Sequence, residues 1–511
     1  MTAERIGFWF GPALFALTLA LPAPGGMGGP AWNTAGLVAW MATWWMTQAI
    51  PLTATGLLPF VVLPFASAGT AREVAGDYYS PIIFLLLGGA FLALAIERTG
   101  LHKRLACWIL DRIGGRGGAF GLLLGFMMAA AILSNIISNT STTLIMMPMA
   151  LAVLAGGVAV GADTDPASSS EAVGRKESAS SSEAVGRKES ASSSEAVGQK
   201  EGLFGALPMG LAFAASIGGL GTIIGSPTNA IGVELLREIS GIEISFAKWA
   251  IFGVPLVIIG IPIAAFIIAK VQKIAEHPFD VAAARKAIAP QGPWSVAERR
   301  LVPVIAFTFV AWMLRGFVAP WFPPGSLTDG TVAIAASLLL FTLPDGTGRR
   351  LLEWREANRA PWDVLMMFGG GLALAGAMTR TGLADWLGNA LLPLANLPVV
   401  VIAIALVGMV VLITEFASNV ATASGFMPVV AALAVAISGD AGSEVILLLA
   451  MPVALAASWG FILPAGTGPN AIAWSTGHIA LPRLITAGLA LDLVGIFLIV
   501  GVVLAIAPLA G

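Results

Sequence analysis

Long apolar stretches constrain this chain more than any other feature. Many of its charged residues fall in a few short blocks, which leave apolar segments of roughly 20 residues, the length of a bilayer-spanning helix. Only 11% of the residues are charged, against about a quarter in an ordinary soluble domain. The sequence therefore predicts an all-α, multi-pass integral membrane protein in contact with lipid.

Composition also argues against several classes of function. A net charge of −2 gives no broad electrostatic attraction to nucleic acid. The single cysteine, Cys107, excludes an intrachain disulfide and a zinc cluster. With three scattered histidines and one cysteine, no nucleophile–base pair or hydrolytic metal site assembles, so we expect neither an enzyme nor an organic cofactor.

Two polar breaks interrupt the apolar sequence at equivalent places in the two halves of the chain. Residues 133–148 read LSNIISNTSTTLIMMP and residues 413–428 read ITEFASNVATASGFMP, 280 positions apart (413 − 133). A second pair follows, with GSPTNAI at 225–231 and GTGPNAI at 466–472. Repeated pairs of broken helices are typical of inverted-repeat secondary transporters, so we predict that architecture.

The polar breaks also determine the predicted topology. A straight span through residues 121–154 would bury its polar cluster against lipid, which is costly, whereas a re-entrant hairpin would not. We predict two such hairpins and about eleven transmembrane helices, one of them over Thr53–Ala68. With the N-terminus inside, the cytoplasmic loops 98–118, 270–300 and 349–359 hold 5, 6 and 4 Lys or Arg residues, in agreement with the positive-inside rule.

Residues 163–201 differ from the rest of the chain. The sequence ASSSEAVGRKES occurs at 167–178 and at 179–190, and a near copy follows. Polar low-complexity sequence of this kind cannot bury a core, so we predict a disordered cytoplasmic linker.

The polar breaks suggest what the protein binds. Serine, threonine and asparagine oxygens, together with the carbonyls of broken helices, suit Na⁺. Half-helices that start at the breaks point their positive ends at the same place, which favours an anion. Polar residues at helix contacts and a channel are the alternatives, but two matched pairs of breaks favour a carrier with a closed site.

These motifs resemble the divalent anion/sodium symporter (DASS) family, which includes INDY-type dicarboxylate and citrate carriers. The resemblance rests on Ser138-Asn139-Thr140, Ser418-Asn419, SIGGLGTIIGSPTNAIG at 216–232 and GTGPNAIAWSTGH at 466–478. It covers nearly the whole chain outside 163–201. It implies sodium-coupled symport of C4 dicarboxylates such as succinate across a bacterial-type cytoplasmic membrane.

The resemblance also implies site residues. One sodium site would use Ser134, Ser138, Asn139 and Gly225, and the other would use Thr414, Ala417, Asn419 and Gly466. The substrate carboxylates would meet Asn139, Thr140, Ser226, Ser418, Asn419 and Thr467.

Family resemblance further implies a homodimer in which a transport domain moves like an elevator against a scaffold. The scaffold would comprise residues 1–118 and 248–398. The transport domain would comprise the first hairpin at 119–162, a broken helix at 202–247, the second hairpin at 399–438 and the final helices at 439–511.

Two departures from the family pattern bear on the substrate. Val420 stands where many bacterial members have threonine, and Gly468 replaces the first proline of the usual TPPN. Sodium-independent exchange, and citrate or sulfate as substrate, therefore remain as alternatives. Glu415 and Asp492 lie deep in apolar sequence, where acids are functional candidates. Glu415 adjoins the second implied sodium site and could tune it, and capping of the hairpin backbone is an equal expectation.

Overall fold

The computed structural model describes residues 2–113, 117–158, 200–286, 292–438 and 442–510, and it shows no β-strand within these ranges. We number the α-helices from α1 to α23 in chain order. Up to residue 286 they are α1 (Ala3–Ala20), α2 (Gly29–Thr47), α3 (Leu52–Thr55), α4 (Leu58–Phe65), α5 (Ala71–Asp77), α6 (Pro81–Thr99), α7 (Leu101–Ile113), α8 (Gly118–Ser134), α9 (Asn139–Val158), α10 (Gly202–Gly218), α11 (Pro227–Ser240), α12 (Phe246–Val271) and α13 (Val281–Lys286).

The remaining helices form the second part of the chain. They are α14 (Val296–Val318), α15 (Asp329–Thr342), α16 (Trp354–Ala357), α17 (Trp362–Arg380), α18 (Leu383–Leu391), α19 (Val399–Thr414), α20 (Asn419–Ser438), α21 (Ser443–Ala456), α22 (Gly468–Ser475) and α23 (Leu481–Ala510). The predicted linker at 163–201 lies outside the described residues up to position 199.

Two helices of the first half have counterparts of equal length, in the same order, in the second half. Helices α6 and α17 have 19 residues each, and α9 and α20 have 20 residues each. Helices α9 and α20 start at Asn139 and Asn419, after breaks that fall where the hairpin tips are predicted. The re-entrant course of each pair stays a prediction.

Eight of the described helices are long and apolar enough to cross a membrane, or nine if the pair that meets at a 120° bend, Leu383–Asn396 and Val399–Thr414, forms one span. This count is smaller than the predicted eleven. Helices α1 and α2 are not among the eight, and the second broken span begins with α21, which has only 14 residues. A helix of that length is too short to span the hydrocarbon region alone.

The span predicted over Thr53–Ala68 is broken. Helix α3 ends at Thr55 and α4 begins at Leu58. The Tyr78 hydroxyl donates to the Gly56 carbonyl at 2.7 Å, between the two helices. A side chain from outside the predicted span thus bonds a backbone carbonyl that the interrupted helix leaves unpaired.

Helix α10 forms the centre of the fold. Its apolar window, Gly202–Gly221, is 94% buried, and it packs against α8, α9, α12 and α22. Two short 3₁₀ turns, Gly219–Gly221 and Ile223–Gly225, follow it and lead into α11. The polar loops of the first half are therefore held at the end of a rigid, buried helix.

Arg98 and Arg380 occupy equivalent positions near the C-terminal ends of α6 and α17. Arg98 forms ion pairs with Asp345 at 2.7 Å and Glu356 at 3.0 Å. Arg380 pairs with Asp77 at 2.8 Å. Both arginines therefore attach a helix end to a neighbouring segment.

Candidate functional site

Four helices begin at the wall of one cavity of about 390 Å³. They are α9, α11, α20 and α22, two from each half of the chain. The N-terminal end of a helix carries free N–H groups and a partial positive charge. The cavity is therefore suited to an anion even though its inner wall is uncharged.

Most of the predicted substrate residues line this cavity. They are Asn139, Thr140, Ser226, Asn419 and Thr467. Ser418 is not part of the lining; its hydroxyl accepts a hydrogen bond from the Ala421 N–H at 3.2 Å. Ser418 therefore caps α20.

An oxygen cluster lies beside the tip of the first polar break. Ser134 Oγ is 2.6 Å from one atom of the Asn139 amide and 2.7 Å from the Ala215 carbonyl oxygen. The same amide atom is 3.1 Å from the carbonyl oxygens of Ala215 and Gly225. With the amide oxygen in this position, acceptors outnumber the one hydroxyl hydrogen available, which is the environment a cation prefers. With the amide turned over, its nitrogen donates to the cluster instead.

The second half of the chain repeats the arrangement. Thr414 Oγ1 is 2.9 Å from Asn419 Oδ1 and 2.8 Å from the Ala457 carbonyl oxygen. A hydroxyl has one hydrogen and cannot donate to both acceptors fully. The second cluster therefore has the same surplus of oxygen acceptors as the first.

The other predicted sodium ligands have different contacts. Ser138 lines the cavity and caps α9, since its hydroxyl accepts from the Ser141 N–H at 3.2 Å. Ala417 is buried. Gly466 donates its N–H to the Leu463 carbonyl at 3.2 Å. Within the described residues, the two clusters thus bring together Ser134, Asn139 and Gly225 in one half and Thr414 with Asn419 in the other.

Sequence reasoning missed the two alanine carbonyls. Ala215 and Ala457 supply backbone oxygens, which no side-chain motif reveals. A signal was nevertheless present, because Ala-Ala-Ser-x-Gly occurs at 214–218 and again at 456–460. The repeat places a carbonyl at the same point in each broken span.

Two asparagines hold the loops that follow these carbonyls. Asn229 Nδ2 donates to the Gly219 and Thr222 carbonyls at 2.7 and 2.8 Å. Asn470 Nδ2 donates to the Leu463 carbonyl at 3.2 Å. Each amide thereby ties the start of a half-helix to the loop preceding it, so the cavity wall is built in the same way in both halves.

Glu415 stabilises the backbone of the second broken span. Its two carboxylate oxygens accept the N–H groups of Ile462 and Leu463, both at 2.9 Å. Glu415 thus caps backbone of the broken span, not the hairpin backbone that the sequence led us to expect. Glu415 therefore fixes the loop that leads to α22.

Asp492 faces Glu415 from α23. Both residues are buried, and their carboxyl groups lie close to each other. The Phe461 N–H is also nearby, yet neither Asp492 oxygen accepts a hydrogen bond from the described residues. No ion pair in the described part of the chain reaches either acid. Two adjacent buried acids without a cation beside them are electrostatically costly.

Replacing Asp492 with asparagine should therefore leave transport and thermal stability nearly unchanged, within about 0.5 kcal/mol. The amide has nearly the same size as the carboxyl group, carries no charge and can donate a hydrogen bond to a Glu415 oxygen. Thermal unfolding and uptake rates of Asp492→Asn measure this, with Asp492→Leu as the variant that loses the donor. A large loss of sodium dependence in Asp492→Asn would instead show that the second negative charge binds a cation.

The fold and the site define a class of protein. Two related helical halves in a membrane, with helix N-termini and oxygen clusters around one cavity, are the features of a secondary transporter with broken helices. The chain matches the sodium:sulfate symporter transmembrane region over residues 8–509. It belongs to this family, the DASS symporters, and is thus a multi-pass transporter of the cytoplasmic membrane rather than an enzyme.

The relatives and solved structures agree with this assignment. The chain is 35% identical to a sodium-dependent dicarboxylate transporter, SdcS, of Staphylococcus saprophyticus, over 99% of this chain and 92% of that one. The identity to SdcS of Staphylococcus aureus is also 35%, with the same coverage.

Two solved transporters share the fold. The YdaH transporter of Alcanivorax borkumensis aligns with a TM-score of 0.54 at 14% identity, over 94% of this chain and 99% of that one. The MtrF efflux pump of Neisseria gonorrhoeae aligns with a TM-score of 0.52 at 11% identity, over 98% of this chain and 94% of that one. At these identities the likeness supports the fold alone.

Proposed function

We propose that this protein imports C4 dicarboxylates such as succinate by symport with sodium. The observation that carries the proposal is the meeting of four helix N-termini beside two oxygen clusters at one cavity. The curated relatives, named sodium-dependent dicarboxylate transporters, support the same substrate and ion.

The cavity suits a dianion that enters together with cations. Its polar wall offers the side chains of Asn139, Thr140, Ser226, Asn419 and Thr467, all of which are neutral. A doubly charged anion there would be stabilised by the helix ends and by sodium bound in the neighbouring clusters. Each charge lowers the electrostatic cost of the other, so their binding is coupled.

Asn139 and Asn419 provide the link between the two kinds of ligand. Each one lines the cavity and also contacts the hydroxyl of a cluster, Ser134 in the first half and Thr414 in the second. When sodium is bound, the amide oxygen of each faces the ion and the amide nitrogen is free to donate to a substrate carboxylate. Sodium binding would thereby orient the substrate donor.

We also propose an elevator movement by a homodimer, with the domain boundaries predicted above. The lining of the cavity comprises the two helix breaks and the loops before α11 and α22, together with α6 and the start of α17. Helices α8–α11 and α19–α23 would carry the site past α6 and α17, with the two breaks as the tips of re-entrant hairpins.

Sulfate or citrate is the alternative substrate. The family description names sulfate, and a cavity of about 390 Å³ has room for a tricarboxylate. Gly468 contributes to that room, because a Cβ atom there would lie 2.6 Å from Thr140 Oγ1.

Uptake into proteoliposomes tests the proposal. Labelled succinate should accumulate when sodium is present outside and should not accumulate when potassium replaces it, while citrate and sulfate serve as competitors. Accumulation of sulfate alone would overturn the substrate assignment, and exchange that is equally fast without sodium would overturn the coupling.

A further inference from the structure

The cavity has a charged rim. Among the described residues that line it, Glu97 and Arg359 are the charged ones. Glu97 lies in the last turn of α6, and Arg359 lies in the segment between α16 and α17. Arg359 Nη2 is 2.8 Å from Glu97 Oε1, and the side chains are 63% and 30% exposed respectively. The pair therefore lies where the cavity opens to solvent.

The backbones on both sides of this pair are firmly held. Arg98, next to Glu97, binds Asp345 and Glu356 from the segment that carries Arg359. Hydrogen bonds from the backbone N–H and hydroxyl of Thr347 and from the Arg349 N–H lower the pKa of Asp345 to about 2. Asp345 therefore stays charged at any physiological pH, and the attachment of this segment to α6 persists.

The Glu97–Arg359 pair itself is easily opened. In the described part of the chain, neither residue has a second ion pair, and an exposed ion pair contributes little to stability. A guanidinium can exchange one carboxylate for another without changing its geometry, because both present the same pair of oxygens. Opening the pair therefore costs little and leaves α6 and the linker in place.

We propose that Arg359 alternates between Glu97 and a carboxylate of the substrate at the cavity mouth. The inference rests on the proposed transport of dicarboxylates. Arg359 attracts the anion and holds it transiently, and Glu97 competes for the guanidinium so that the anion is released. Because residues 349–359 are predicted to be cytoplasmic, this exchange acts on substrate passing between the cavity and the cytoplasm.

Two single substitutions test the proposal, because they should act in opposite directions. Arg359→Gln removes the cation and should raise the cytoplasmic-side KM for the dicarboxylate roughly three- to tenfold. Glu97→Gln frees Arg359 for the substrate and should lower that KM by a similar factor while slowing release. Counterflow from the cytoplasmic side of oriented proteoliposomes, at low and high ionic strength, measures both. Arg355→Gln, an exposed arginine of α16 outside the cavity lining, is the matched control.

The outcomes separate this proposal from the proposed function. If both substitutions change the KM in the same direction, or if neither changes it while sodium-driven uptake persists, the ion pair is only structural and the proposal is wrong. The double variant Glu97→Arg/Arg359→Glu should restore the ion pair. Its KM for the dicarboxylate should still differ from that of the wild type, because the cation then lies at position 97 rather than at position 359. If the wild-type protein transports no dicarboxylate, the proposed function itself fails.

Discussion

Asn139→Ala and Asn419→Ala should each abolish sodium-driven uptake while the folded protein is retained. Each asparagine lines the cavity and contacts a cluster hydroxyl, at 2.6 Å from Ser134 and 2.9 Å from Thr414. A hydrogen bond to a charged group contributes about 1.5–3 kcal/mol. Loss of one contact to sodium and one to the substrate should therefore reduce kcat/KM roughly 100-fold or more.

A matched asparagine on the surface provides the control. Asn396 is exposed, and its amide bonds only the nearby Pro393 carbonyl at 3.2 Å. Asn396→Ala should transport at the wild-type rate. Uptake is measured beside a thermal unfolding scan with and without sodium, and the shift that sodium causes should vanish in the two site variants. Wild-type uptake by either one would contradict the assignment of these residues to the site.

Gly219→Ala should have an effect of similar size without any change to a residue of the cavity wall. A Cβ atom at this position would lie 2.1 Å from Asn139 Oδ1, and its nearest contacts are all atoms of that side chain. The Asn139 side chain can move away, so α10 and the 3₁₀ turn after it should still form. Asn139 would, however, leave the oxygen cluster that it forms with Ser134. A displacement of about 1 Å in a binding site can cost roughly 100-fold in rate.

The sodium dependence identifies this mechanism. Gly219→Ala should raise the sodium concentration needed for half-maximal uptake, and the melting temperature without sodium should stay near the wild-type value. Gly501→Ala in α23 is the control, since a Cβ atom there meets nothing within 4 Å. If Gly219→Ala keeps normal sodium dependence, Asn139 does not coordinate the ion in the way proposed.

The helical class, the repeat and the polar breaks could all be predicted from the sequence. Apolar windows specify helices because a lipid-facing backbone must satisfy its own hydrogen bonds. The two breaks were recognised because polar clusters interrupt the apolar sequence at matching positions in the two halves. The single helix predicted over Thr53–Ala68 was wrong, because hydropathy does not register the break at residues 56–57, where Tyr78 bonds the Gly56 carbonyl.

The site could be predicted only in part. Asn139, Thr140, Ser226, Asn419 and Thr467 were identified and line one cavity. The carbonyls of Ala215 and Ala457 were not identified, since a backbone oxygen has no signature in the residue type. The role of Glu415 was left between two interpretations, because its partners Ile462 and Leu463 lie almost 50 residues further along the chain.

By itself, the sequence determined that this is a helical membrane protein of two related halves and which polar residues interrupt its helices. Hydropathy and the placing of polar breaks are local properties, and a chain in lipid has few ways to satisfy its backbone hydrogen bonds. Only the tertiary structure decided that four helix ends share one cavity, that Asp492 meets Glu415 and that Arg359 reaches Glu97. These contacts join distant segments, and they depend on how the helices pack, which no local pattern specifies.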